Sequence, residues 1–460
     1  MADKKPAKHL SDLSKIIQWL DKRGRLTRVA SEVDPDYELA AVAAQLEGQP
    51  SAVLFENVKG HTAPIFTGLY WSRGLLAELL GTEELNLSAF IASRIAKWQQ
   101  KPVRPMVVTK APVKQVTQKV PDVTKLPIPI HALKDGGPYF DVSVVVTKDP
   151  DTGVRNASVH RVMVVNDTVL SLLIDPGRHF GVYLDKAKAR GKTLRFTLNV
   201  GVPPGVYFAA ATPSGAAPAE ADELGIASEF QDGPLELVKG DTSHVELIAN
   251  AQYALECEMF TEEKQEEGPF AEVTGLYADR APRWKVHVKA IHHRRTPVFH
   301  TLISGEEVWN SAGLLAEGHL QGLLPKQVPG VRDIYMTPGG CGVFHAVIQM
   351  EQTHKGWAKN AIMSAFAGFN MLKMVTVVDE DVDIRNPSDI EWAMSNRLIP
   401  LTGIVQVHDS FGLGLNPSFP NNIGTKLGFD CTRAHPHEEK DERVSYRDVS
   451  LGDYDISFGR

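Results

Sequence analysis

Residues 266–275, EEGPFAEVTG, place Glu266, Glu267 and Glu272 around Gly268-Pro269. Side chains on a plain strand alternate, so carboxylates five positions apart would face opposite sides. A Gly-Pro bend can instead turn both toward one point, where one acid holds a charge and the other moves a proton. The plain alternative is a surface turn that exposes its acids. A second group spans NASVHR, DPGRH and EADELG. Asn156, His179 and Glu223 offer an amide oxygen, an imidazole nitrogen and a carboxylate, a set that suits Mn²⁺ or Mg²⁺ better than a thiolate-preferring metal. On composition alone His179 reads first as a surface or helix-capping histidine. Arg161 lies in the apolar run RVMVV, where a guanidinium needs a carboxylate partner or a route to water. Lys373 in MLKMVTVV poses the same choice.

The elements that must position these residues follow from hydrophobic period and turn chemistry. SDLSKIIQWLDKR (11–23) predicts a helix capped by Ser11, striped by Leu13, Ile16, Ile17 and Leu20, and ended by Gly24. The chain then mixes short apolar runs and helical patterns to residue 114, as in an α/β domain. KVPDVTKLPIPIHALKDGGPYF is rich in Pro and Gly and reads as a linker or an ordered loop. From about 140 to 300, DVSVVVTKD, ASVHRVMVV, TLRFTLNVGV and RWKVHVKAIHH predict strands of a β-rich domain, plausibly a barrel. A helix around HFGVYLDKAKARGK closes at Gly191. Beyond 315 the α/β texture returns, with helices at KNAIMSAFAGF and SDIEWAMSNR and a buried strand at MLKMVTVVDEDVDI. The segment from HPHEEKDER onward reads as a polar tail or a swapped arm. The expected division is 1–114, 115–315 and 316–460.

Composition narrows the class. At 460 residues, 43% hydrophobic and 23% charged, the chain matches a multi-domain globular protein. A net charge of −7 argues against nucleic-acid binding. Cys257, Cys341 and Cys431 are too scattered for a disulfide framework or a CxxC metal site. No apolar run is long enough to span a bilayer, and the charged start lacks the apolar core of a signal peptide, so a cytoplasmic location is expected. GGCG (339–342) does not match the dinucleotide fingerprint, and neither a P-loop nor HExxH occurs. DEDVDIRNPSDI imitates a calcium loop, but Ile384 and Ile390 replace its required Gly and Glu.

Taken in order and spacing, these pieces resemble the UbiD family of prenylated-flavin-dependent decarboxylases. Asn156 and Arg161 are five apart, His179 follows, Glu223 comes next, and Glu267-Gly268-Pro269-Phe270-Ala271-Glu272 stands where the family has E-G-P-x-x-[ED]. KMVTVVDEDVDI, EWAMSNR and GTKLGFDCTR look like its C-terminal landmarks. The resemblance implies an N-terminal α/β domain, a central split β-barrel carrying flavin, and a C-terminal α/β assembly domain. It implies that Asn156, His179 and Glu223 ligate Mn²⁺ or Mg²⁺ on the phosphate of prenylated FMN, with a potassium ion nearby. Asn156, Ala157, Ser158, Val159, His160 and Arg161, with Arg178, His179, Glu223 and Lys373, would line the cofactor. Arg161, Glu267 and Glu272 would be the catalytic trio. Arg161 would bind the substrate carboxylate and balance only Glu267, leaving Glu272 as proton donor.

The implied substrate is an aromatic, heteroaromatic or α,β-unsaturated carboxylic acid, exchanged with CO₂. A flavin prenyltransferase would supply the cofactor, and a homodimer or homohexamer is expected. Asn396, THKGWAKN (353–360) and LISGEEVWNS (302–311) depart from the family pattern and are expected to border the substrate. A split-barrel flavin reductase or oxidase would need the flavin but not the trio. A non-catalytic assembly subunit would be expected to lack one of these six residues, and all are present.

Overall fold

The computed structural model describes residues 7–174, 178–218, 220–231 and 233–456. The Asp-Pro-Gly segment at 175–177 lies outside them. Helix α1 (Leu13–Lys22) buries Leu13, Ile16, Ile17 and Leu20 along one stripe. Its cap is Asp12 and not Ser11: Asp12 is extended, and its carboxylate accepts the Ser14 N–H. Ser11 instead closes a preceding 3₁₀ turn, and Gly24, at φ +66°, turns the chain away.

The N-terminal region continues through β1 (Leu26–Val33), α2 (Glu38–Leu46), β2 (Ala52–Val58), β3 (Ile65–Thr67), α3 (Arg73–Leu80) and α4 (Leu87–Gln100). Its sheet runs β1-β2-β3 and is completed by Phe299–His300, which returns from beyond the barrel to pair in parallel with β3.

The central strands are β4 (Tyr139–Lys148), β5 (Arg155–Val164) and β6 (Val169–Leu172). After helix α5 (His179–Ala189) come β7 (Leu194–Val200), helix α6 (Pro204–Ala211), β8 (Tyr253–Glu267) and β9 (Ala281–His293). They pair antiparallel in the order β8-β7-β4-β5-β6-β9, and β9 pairs back onto β8, closing a six-stranded barrel. Closure explains the unbroken VSVVV of β4. Val145 packs into the core with Leu198 and Leu255, while Val144 and Val146 face the layer containing Val206 and Phe208 of α6. Both faces of the strand are dry, so the polar alternation of a one-sided sheet is lost.

The C-terminal region comprises α7 (Glu306–Gln327), β10 (Val331–Met336), β11 (His345–Met350), α8 (Trp357–Gly368), β12 (Met374–Asp379), α9 (Pro387–Asn396), β13 (Ile404–Phe411) and β14 (Ile423–Cys431). Its sheet order is β10-β11-β12-β14-β13, with the three central strands parallel. Helix α7 runs unbroken across 315/316. Residues 435–456 are mostly exposed and carry only short 3₁₀ turns, tied back where Arg443 meets Asp389. Among the described residues no helix is long and apolar enough to cross a membrane.

Candidate active site

Strand β5 carries both halves of the site. Asn156 stands near its start and Arg161 five residues on, about 17 Å at the usual rise of an extended strand. At the Asn156 end, α5 presents His179 from its first residue, and Glu223 precedes the short helical turn Leu224–Ala227. Arg155 pins that turn to β5 through two hydrogen bonds to Asp222, of 3.0 and 2.8 Å. Glu223 Oε2 accepts from Asn156 Nδ2 at 2.7 Å and from the Ala157 N–H at 2.8 Å, and its Oε1 lies 3.2 Å from His179 Nδ1. Burial pushes the Glu223 carboxyl above the ordinary carboxylate range, and the His179 contact and the Ala157 amide pull it back.

The buried Oδ1 of Asn156 has no hydrogen-bond partner among the described residues. Orphaned buried acceptors are uncommon, and a cation satisfies one directly. Neighbouring ligands around an octahedral ion with bonds near 2.1 Å sit about 3.0 Å apart, close to the His179–Glu223 separation. The donor types and the His179–Glu223 spacing therefore fit a hard divalent cation.

Beside this set lies a cavity of roughly 250 Å³, lined by residues 156–160, Arg178, His179, Phe180, the end of α6 through Ser214, and Glu223. Ala312, Val343, Phe369 and Met371 close it from the C-terminal region. A second cavity of about 350 Å³ shares Arg178, Pro213, Ser214, Phe369 and Met371, and extends to Phe411, Leu413 and Asn422. Arg178 reaches across to Met371 Sδ at 3.9 Å. Lys373 is not among the lining residues. It lies two positions beyond Met371 at the mouth of β12, its N–H bonded to Phe344 O.

At the other end of the strand, Arg161 sits between both acids. Its Nε and Nη2 reach Glu267 at 3.2 and 3.4 Å, and its Nη1 meets Glu272 Oε1. The guanidinium lies 5.0 Å from the centre of the Phe270 ring, a cation–π distance. Glu267 is 1% exposed and Glu272 8%, while Glu266 is exposed. The bend does gather two acids at one point: β8 ends at Glu267, Gly268 takes φ +97°, and the chain resumes at Phe270–Ala271. The expectation that Arg161 balances only Glu267 is corrected, because three guanidinium nitrogens divide between two buried carboxylates. Glu272 in this state is an ion-pair partner, and its position on Nη1 is one a substrate carboxylate could take.

Sequence reasoning missed other participants. Tyr139 donates to Glu267 Oε1 at 2.9 Å, and burial together with the Glu267 charge pushes its phenol pKa up. Asp135 accepts the Ala271 N–H at 2.8 Å. Both sit in KDGGPY, which reads as a turn; its one signal was the double glycine, since a Cβ on Gly136 would stand 2.3 Å from Gly268 O. Of the divergent segments, 302–311 does border the site, with Ser304 Oγ bonded to Ala271 O and Trp309 Nε1 to Val273 O. Residues 353–360 and Asn396 line neither cavity: the first begin α8, and the second is exposed, bonded to Trp392 O.

Asp241, Glu256 and His292 also converge, with ligand atoms within 4.8 Å of one another. This group is structural. The Glu256 carboxylate already accepts the N–H groups of Asp241, Thr242 and Ser243, the Thr242 hydroxyl and His292 Nε2, which leaves little lone-pair capacity for a metal.

Family models of the 3-octaprenyl-4-hydroxybenzoate carboxy-lyase N-terminal, Rift-related and C-terminal domains match residues 17–95, 106–307 and 310–431. The chain belongs to the UbiD family. It is a carboxy-lyase, and the barrel is the family's Rift-related domain. An uncharacterized protein in the cooM 5' region of Rhodospirillum rubrum is 57% identical over 97% of this chain and 96% of its own. The anhydromevalonate phosphate decarboxylase of Methanothermobacter thermautotrophicus is 33% identical over 93% of this chain and 99% of its own. Among solved structures, the UbiD-class enzyme HmfF from Pelotomaculum thermopropionicum, in complex with FMN, superposes with a TM-score of 0.89 at 36% identity, over 96% of this chain and 100% of that one. An evolved dimeric form of HmfF was solved with prFMN. The 3,4-dihydroxybenzoic acid decarboxylase of Enterobacter cloacae gives a TM-score of 0.87 at 29% identity, over 98% and 99% of the two chains.

Proposed function

We propose that this UbiD-family chain catalyses the reversible, non-oxidative decarboxylation of an aromatic, heteroaromatic or α,β-unsaturated carboxylic acid, with prenylated FMN as cofactor. The observation that carries the reading is Arg161 held between two buried carboxylates, on the strand that also carries Asn156 of the Asn156–His179–Glu223 set. That set would hold Mn²⁺ or Mg²⁺ against the cofactor phosphate, with Arg178 in the cavity wall as the nearby cation and Lys373 two positions beyond the lining residue Met371. When bound, the cofactor supplies the electron sink for the pair left by the departing carboxylate.

The chain's own residues do the rest. Arg161 binds the substrate carboxylate through Nη1, displacing Glu272 from that nitrogen. Glu267 keeps the guanidinium plane fixed through Nε and Nη2. CO₂ leaves with cleavage of the carbon–carbon bond, and Glu272, once protonated, delivers its proton to the carbon that lost it. Solvent then reprotonates Glu272, and carboxylation runs the same steps in reverse. The apolar walls from Val343, Phe369 and Met371 close the cavity beside the Asn156–His179–Glu223 set, where the cofactor would sit.

Assembly as a homodimer or homohexamer through the C-terminal region is part of the same reading. It is supported by the exposed Ile399 and Leu401 and by Phe411 on edge strand β13.

The experiment is co-expression with a flavin prenyltransferase, mass spectrometry of the bound cofactor, and turnover assays on a panel of such acids. The expected result is a prenylated flavin mass, a divalent metal, and CO₂ release from at least one class. Unmodified FMN alone, with no turnover of any acid on the panel, would overturn the proposal.

A further inference from the structure

The segment 131–139, HALKDGGPY, crosses to the acid-bearing bend and holds it at three points. Asp135 accepts the Ala271 N–H at 2.8 Å through one oxygen and the Ala132 N–H at 2.9 Å through the other. The Gly136 N–H donates to Pro269 O at 2.8 Å. Tyr139 donates to Glu267 at 2.9 Å, with its ring centroid 4.4 Å from that of Phe270. The backbones touch so closely that a side chain on Gly136 would overlap Gly268 O. From the other side, Ser304 and Trp309 hold the carbonyls of Ala271 and Val273. Ala271 thus has its N–H fixed by Asp135 and its carbonyl by Ser304, immediately before Glu272.

We propose that Asp135 and Tyr139 are positioning residues for the reaction: Asp135 sets Glu272 through the Ala271 peptide, and Tyr139 sets Arg161 through Glu267. The assignment rests on the reading of Glu272 as proton donor and Arg161 as carboxylate binder. The two residues act on different steps, so their losses have different signatures. Without Asp135 the proton donor shifts while carboxylate binding is kept, so kcat falls and KM does not. A misplacement of about 1 Å is enough for a loss on the order of 10²-fold. Without the Tyr139 hydroxyl, Glu267 loses a neutral donor and the guanidinium it orients loosens, so KM for the acid rises more than kcat falls. Removing the hydroxyl alone keeps the packing against Phe270.

The test uses holoenzyme carrying Asp135→Ala, Asp135→Asn or Tyr139→Phe, with kcat and KM measured separately. Hydrogen–deuterium exchange over residues 270–276 and cofactor and metal content complete the set. Asp135→Ala is expected to speed exchange of that segment and lower kcat about 10²-fold at near-constant KM, with cofactor and metal retained. Asp135→Asn keeps an oxygen for the Ala271 N–H and is expected to recover part of both effects. In a Glu272→Gln background, Asp135→Ala should cost little further. Unchanged exchange in Asp135→Ala, equal loss in Asn and Ala variants, or full additivity with Glu272→Gln overturns the role of Asp135. Loss of cofactor in step with activity would make the segment merely structural and also overturns it. A Tyr139→Phe enzyme with wild-type KM removes Tyr139. If Glu272→Gln itself turns over normally, the proton-donor reading fails, while the exchange measurement still decides whether Asp135 holds the bend.

Discussion

Replacing Arg161 with Lys keeps the charge and removes the fork. In the structure the guanidinium uses Nε and Nη2 on Glu267 and Nη1 on Glu272, and it lies over Phe270. One ammonium cannot reproduce contacts aimed in these directions. At least two charge-assisted hydrogen bonds are lost, each worth about 1.5–3 kcal/mol. Glu267 is 1% exposed and keeps Tyr139, so the fold should survive with a buried carboxylate less well balanced. A loss of about 3 kcal/mol or more in transition-state binding corresponds to roughly 10²-fold or more in kcat/KM. Steady-state kinetics on Arg161→Lys, alongside thermal unfolding and cofactor content, measures this directly. A variant within a few-fold of wild type in kcat/KM would refute the claim that the fork orients the substrate carboxylate.

Three further outcomes follow from the geometry. His179→Ala removes one corner of the Asn156–His179–Glu223 set and is expected to lower metal content and flavin occupancy together; full retention of both, by metal analysis and flavin absorbance, would remove His179 from the set. Chelation of the wild-type enzyme, followed by gel filtration, is expected to release flavin with the metal, and retained flavin would mean that the phosphate is held by the protein alone. Burial raises the buried Asp141 carboxyl to about 7, well above its unfolded value near 4. It is neutral in both states below about pH 4 and costs the folded state progressively as pH rises toward 7. Asp141→Asn should therefore make the slope of the thermal midpoint against pH between 5 and 7 more positive than in wild type, and an unchanged slope would contradict this.

What could be read in the sequence was whatever is local or carried by a motif. The strands around VSVVV and SVHRVMVV, the helix ended by Gly191 and the order Asn156, Arg161, His179, Glu223, Glu267, Glu272 needed no long-range information. Features set by distant pairing were not legible. Barrel closure depends on β8 meeting β9 along its length, and the N-terminal sheet borrows Phe299–His300 from beyond the barrel. Asp12 outcompeted Ser11 as cap because the chain made a 3₁₀ turn first. The same limit hid Asp135 and Tyr139. Asp-Gly-Gly-Pro is turn chemistry in any protein, and only the fold puts it against a bend more than a hundred residues away. The sharing of Arg161 by two acids was invisible because residue order does not say which guanidinium nitrogen faces which carboxylate.

In the proposed reaction Glu272 moves the proton. Glu272→Gln keeps shape and hydrogen-bonding capacity, lies outside the metal set, and cannot deliver a proton. The measurement is turnover in deuterated buffer on wild type and Glu272→Gln at equal cofactor occupancy, with deuterium read at the carbon that lost CO₂. Wild type is expected to place deuterium there, and the variant to release product about 10²–10⁴-fold more slowly while still holding flavin and metal. A Glu272→Gln enzyme that exchanges and turns over like wild type would contradict this role and reduce Glu272 to an acid of the turn.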